Sequence, residues 1–268
     1  MNEQPPIPPA IPPQAPQFIP PAMPSRDPGW APKPLGANPE EQAPITGLVT
    51  AVEALLRQPR RVLFQLRQPG GGYLVVAMLI IGVLCSLVYG FVAGTFSGGI
   101  QLWAAPVKIA GGLLFAAFIC LPSLYIFACL SGAQVRLVEI AGLIAGLVAL
   151  LSVLLVGFAP VAWVFSQSTE SLPAMGALHI AFGLVACFFG LRFLSTGFVH
   201  FSAEGRGGLN FWIIIFMLVA LQMTTALRPI IGKASTFLPT EKKFFVTHWA
   251  DCMKDTPESK TERKGFER

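Results

Sequence analysis

Charge is what this sequence has least of. Only 12% of its 268 residues are Asp, Glu, Lys or Arg, about half the share of an ordinary soluble domain. Seven of them fall between Tyr73 and Leu227: Lys108, Arg136, Glu139, Glu170, Arg192, Glu204 and Arg206. The other 26 lie in the first 68 residues or after Leu227. A soluble surface cannot be made from such a middle, because 53% of the chain is hydrophobic and the 26 glycines raise the apolar share to about 63%. The distribution is that of a membrane core with polar ends.

Other shortages exclude chemistry. There are three histidines, and none has a second at i+3 or i+4, so helical metal spacing is missing. The chain contains no H-E-x-x-H, G-x-S-x-G or G-x-x-x-x-G-K-[ST]. No enzymatic activity, cofactor or metal is therefore expected. Of the five cysteines, Cys85, Cys120, Cys129 and Cys187 sit in apolar runs and Cys252 stands alone, which gives no disulfide framework. His248, Asp251 and Cys252 cluster in the tail and are read as surface. No cleavable signal opens the chain, so the first span is expected to direct its own insertion. The net charge of +5 is read as basic flanks meeting anionic headgroups, because no basic run is interleaved with aromatics as nucleic-acid binding would require.

Proline, by contrast, is abundant at the start. Residues 1–44 carry runs such as Pro5-Pro6-Ile7-Pro8-Pro9 and are expected to form a disordered, polyproline-like arm. The arm is either a spacer or a PxxP ligand for an aromatic groove. Residues 45–68 change character. Leu48, Val49, Val52, Leu55 and Leu56, then Val62, Leu63 and Leu66, recur at helical spacing among Arg57, Arg60, Arg61 and Arg67. This pattern predicts two amphipathic helices in the membrane interface, broken at Pro59.

Five apolar stretches follow, at 73–94, 109–130, 138–165, 172–191 and 209–227. Each meets or nearly meets the roughly 20 residues that a hydrocarbon core of about 30 Å requires, and the third exceeds it, so it is expected to tilt, kink at Pro160 or run into the interface. The fold class predicted is an all-α transmembrane bundle of about five spans over 73–227, with a polar tail at 228–268. Basic residues before the first span place the N-terminus in the cytoplasm, and Trp103, Trp163 and Trp212 are expected at the two interfaces. Five crossings then leave the tail on the opposite side, although its basic residues near the last span oppose that. A multi-pass protein of a bacterial inner membrane fits this reading.

In-span polar groups are the candidate functional residues: Arg192, Glu139, His179 and Gln222, with Thr224 and Thr225 beside the last. Arg192 is expected to snorkel to the headgroups, with a substrate role or a pair with Glu139 as alternatives. His179 is read as hydrogen-bonded packing or as a proton relay. Gly90 with Gly94, and Gly142 with Gly146, form GxxxG pairs that let helices approach, within the bundle or across a homo-oligomer seam. The lipid bilayer is the one partner implied outright, and protein partners are expected at the two polar termini. The function expected is a non-catalytic membrane scaffold or accessory subunit, with a small-solute transporter or channel as the alternative.

The layout resembles the Yip1-like membrane proteins. The resemblance rests on Leu55-Leu56-Arg57-Gln58-Pro59-Arg60-Arg61-Val62-Leu63 before the first span, and on Ser123-Leu124-Tyr125-Ile126-Phe127 through Gly132 ahead of the third. It covers about residues 47–227 and implies five closely spaced spans with a cytoplasmic N-terminal region. The acidic-aromatic motif of eukaryotic members is missing, which leaves a trafficking role without support.

Overall fold

A computed structural model of the chain describes residues 34–133, 135–169, 171–201 and 207–227. Most of the proline-rich arm and the tail at 228–268 lie outside the described residues. The described residues are helical, with no strand among them. A short α1 (Pro39–Gln42), α2 (Leu48–Arg57) and α3 (Pro59–Arg67) precede five apolar helices. These are α4 (Gly71–Thr95), α5 (Gln101–Leu130), α6 (Leu137–Ser168), α7 (Leu172–Phe201) and α8 (Gly207–Ala226).

Four of the five, α4 to α7, are long and apolar enough to cross a membrane. The fifth, α8, has 20 residues, about 30 Å at 1.5 Å each, and its apolar part Gly208–Thr224 is shorter. The chain is a helical membrane bundle. Two helices run past their expected ends. Gln101 rather than Ile109 starts α5, which brings Trp103 and Lys108 into the helix, Lys108 only 2% exposed. Helix α7 continues through Arg192 to Phe201 instead of stopping at 191.

Helix α6 is the centre. Every residue from Gly142 to Ser152 is buried, which no helix packed on one side achieves, and α4, α5 and α7 surround it. The packing is close where glycine permits it. A Cβ on Gly90 would strike the Pro106 backbone, and one on Gly94 would meet the Gln101 carbonyl at 2.6 Å, so the two glycines set the α4–α5 approach. The turn between these helices uses Gly98 and Gly99, both with φ near +60° (63° and 57°). Gly142 and Gly146 serve α6 in the same way, against the side chains of Leu66 and Phe193.

Trp212 corrects an expectation. It does not sit in an interfacial belt but is fully buried, with Nε1 donating to the Cys120 carbonyl (3.0 Å) and to Ser123 Oγ (3.1 Å). A buried indole N–H needs an acceptor, and α5 supplies two. The ring stacks on Phe216 of the same helix with centroids 5.3 Å apart, and its full burial together with the two bonds to α5 anchors α8 there.

Helices α2 and α3 form a collar over one end of the bundle. Their inward faces (Ala51, Ala54, Leu55, Val62, Leu63, Leu66) are buried against α4, α6 and α7. The apolar stripe read as lipid-facing is therefore divided. Part of it packs on protein, while Leu48, Val49 and Leu56 stay exposed. Residues 34–44, which the sequence predicts to be disordered, are instead held against α3, because α3 side chains bond their otherwise unpaired carbonyls.

Candidate functional site

The polar groups expected to matter are placed apart. Glu139 sits at the start of α6 and is buried, Arg192 is exposed on α7, and Gln222 is half-buried near the end of α8. Glu139 pairs with Arg136 at 3.1 Å, not with Arg192, and its other carboxylate oxygen accepts from the Arg136 backbone N–H at 3.1 Å. The carboxylate thus caps α6 while holding the arginine that precedes it. Arg136 in turn donates from Nη2 to the Arg67 carbonyl at 2.8 Å, which ties the end of α3 to the start of α6. Arg192 lies nine residues before the end of α7, about 14 Å, and its exposed side chain is free to reach along the helix toward the headgroups.

The densest polar arrangement was not visible in the sequence. Glu41, only 5% exposed, accepts from Arg60 Nε (2.6 Å), from the Gly36 N–H (2.6 Å) and from Asn38 Nδ2 (3.3 Å). Burial alone would raise its pKa, but these donors and the Arg60 charge prevail and hold it below 4.5. Arg60 also donates to the Pro34 carbonyl at 3.1 Å and meets His200 Nε2 at 3.1 Å. His200 Nδ1 lies 2.8 Å from the Thr196 carbonyl, which only accepts. The proton is therefore on Nδ1, and Nε2 accepts from the guanidinium.

Arg61 and Gln65 complete the collar. Arg61 donates to the carbonyls of Ala43 and Pro44, both at 2.9 Å, and the Gln65 amide bonds both Ala43 and Ile45. Arg67 lies over the Phe201 ring, 5.3 Å from its centroid. Of the four collar arginines Arg60 and Arg61 are half-buried, while Arg57, in a surface pair with Glu53, and Arg67 are exposed. A pocket of about 200 Å³ opens here, walled by Asn38, Glu40, Arg57, Gln58 and Arg61.

At the other end of the bundle His179 meets Tyr89. The hydroxyl and Nδ1 are 2.6 Å apart, with the rings edge to face at 5.5 Å. Tyr89 is 4% exposed, and its role was missed because a tyrosine inside an apolar run carries no spacing signal. Comparison of the chain with known protein families, with curated proteins and with solved structures finds no match. The residues themselves are what remains. Among the described residues no group of three or more His, Cys, Asp or Glu could hold a metal ion. The site with the most buried polar contacts is the collar, and its bonds are structural: they hold a chain segment.

Proposed function

We propose that the protein is a non-catalytic membrane scaffold or accessory subunit that meets its partners through polar termini. The observation that carries this reading is the sealed centre of the bundle. From Gly142 to Leu151, helix α6 presents only apolar residues, buried on all sides. Glu139, His179, Arg192 and Gln222 sit at separate places, Glu139 held by Arg136, His179 by Tyr89, and Arg192 exposed. This counts against a small-solute transporter, which needs convergent polar groups around a cavity. Meanwhile 26 of the charges lie outside the bundle.

The collar supports the same reading. It holds the segment from Pro34 to Ile45 against α3 at a defined place. The Yip1-like layout agrees with this geometry. So does a bacterial inner membrane with the arm in the cytoplasm, because Arg57, Arg60, Arg61, Arg67 and Arg136 all gather at the collar end.

Three experiments test it. Deletion of residues 1–33 and, separately, of 233–268 should each remove co-purifying proteins while leaving the bundle folded. Retention of every partner by both deletions would sink the scaffold reading. Flux across proteoliposomes that Arg192→Leu abolishes would favour transport instead. Reporter fusions at residue 33 and at the C-terminus decide the orientation.

A further inference from the structure

Helices α4 to α8 contain three residues of the Asp, Glu, Lys and Arg class, Lys108, Glu139 and Arg192, and of these only Arg192 is exposed. Two registers give its depth. It lies nine residues before the end of α7, about 14 Å. Its neighbour Phe193 packs over Gly146, which is nine residues into α6, again about 14 Å. Helix α6 starts beside the Arg136–Glu139 pair, which Arg136 ties to the end of the collar. With the collar at one headgroup layer, Arg192 stands near the middle of a hydrocarbon core about 30 Å thick.

Snorkelling toward the collar leaves it short. Side chains on a helix lean toward its N-terminus, and the N-terminus of α7 is the far end. A reach toward the collar runs against that lean, and an arginine stem covers only about 6 Å of the distance. The guanidinium stays charged at any working pH. Ion pairs among the described residues join Arg57 to Glu53, Arg60 to Glu41 and Arg136 to Glu139, and Arg192 is in none of them. Ionisable groups at such depth almost always face a bundle interior and pair there. Arg192 faces outward, so the interior it belongs to is completed by another molecule.

The face around it suits a helix. Ala181, Val185, Phe188 and Arg192 follow at spacings of four, three and four, all exposed, with Phe189 beside them. Phe188 and Phe189 meet edge to face, centroids 5.5 Å apart. Helix α7 is the least enclosed of the four long spans and packs chiefly on α6, through its opposite face. Arginine and aromatic side chains are those concentrated at the centres of protein interfaces. A second copy cannot supply the counter-charge. The acidic residues between Tyr73 and Leu227 are Glu139, Glu170 and Glu204. Glu139 is buried at the start of α6 and held by Arg136, and the other two fall between helices in the sequence. No span of this chain carries a carboxylate at mid-depth.

We propose that the outward face of α7 docks a transmembrane helix of a different protein, one with Asp or Glu near its middle, and that this carboxylate pairs with Arg192. A carboxylate meets a guanidinium through two parallel hydrogen bonds and cancels its charge within the hydrocarbon. The contact lies inside the membrane, away from the polar termini. It is expected to survive deletion of residues 1–33 or of 233–268.

The test places the full chain, with a dye at its C-terminus, in phosphatidylcholine nanodiscs. Energy transfer reports binding of a synthetic span of about 21 leucines and alanines with one central Glu, against the same span with Gln. The Glu span is expected to bind at least about tenfold more tightly. That excess disappears in Arg192→Gln, persists in Arg192→Lys, and disappears when the Glu is moved two turns toward the end of the peptide. Hydrogen exchange over α4 to α6 checks that both variants are folded. Equal binding of the two spans, or an excess that survives Arg192→Gln, overturns the proposal. So does an Arg192-dependent affinity for phosphatidylglycerol with no preference between the spans, which assigns the guanidinium to lipid phosphate.

Discussion

Arg60 Nε and Glu41 Oε1 lie 2.6 Å apart, although 19 residues separate them in the chain. The carboxylate is almost completely enclosed while the guanidinium is about a third exposed (6% and 31% by side chain). Removal of the carboxylate leaves three donors without their acceptor. Glu41→Ala is expected to destabilise the collar by about 1–3 kcal/mol. Hydrogen exchange over residues 34–67 in nanodiscs would show it as faster exchange, with α4 to α6 unchanged. Unaltered protection at Gly36 and Ile45 would show that the pair contributes nothing.

The same carboxylate makes the collar acid-sensitive. Its folded pKa is lowered from 4.5, so its contribution is fully present above 4.5 and is lost as pH falls through the lower folded value. Proteolysis of the segment before α2 should therefore accelerate only below about pH 4.5, and Glu41→Gln should remove that dependence. A transition centred near neutrality would have another origin.

Trp212 holds α8 to α5 by ring and N–H together. Trp212→Phe keeps most of the ring contact and loses the bonds to Cys120 and Ser123, at an expected cost of about 1 kcal/mol. Trp212→Ala also opens a cavity and should cost about 3–5 kcal/mol. Unfolding in mixed micelles ranks the two, and equal losses would mean that the indole N–H carries the anchoring.

Glycines of similar appearance should respond in opposite ways. Gly90→Ala puts a methyl into the Pro106 backbone, which cannot yield as a side chain can, and overpacking of this kind costs about 1–3 kcal/mol. Gly157→Ala enters open space and should be neutral or stabilising by up to about 1 kcal/mol. Thermal stability of the two purified variants separates them.

Sequence by itself determined a good deal. Scarcity of charge, the length of the apolar stretches and the polar ends specify a helical membrane bundle, because hydrocarbon accepts only backbones that satisfy themselves. Pro59 marked the break between the two collar helices, where α2 ends at Arg57 and α3 begins.

What the tertiary structure alone decided is which face of each span turns inward. Lipid chains are as apolar as a packed core, so a span has no polar side to betray its orientation, and α6 reads no differently from α7 along the chain. Packing made α6 the centre, buried Trp212 against α5, and sorted the glycines into tight contacts and open positions. Long-range pairs such as Arg60 with Glu41 and Tyr89 with His179 belong to the same class. Their partners are 19 and 90 residues apart, and only the folded chain brings them within a hydrogen bond.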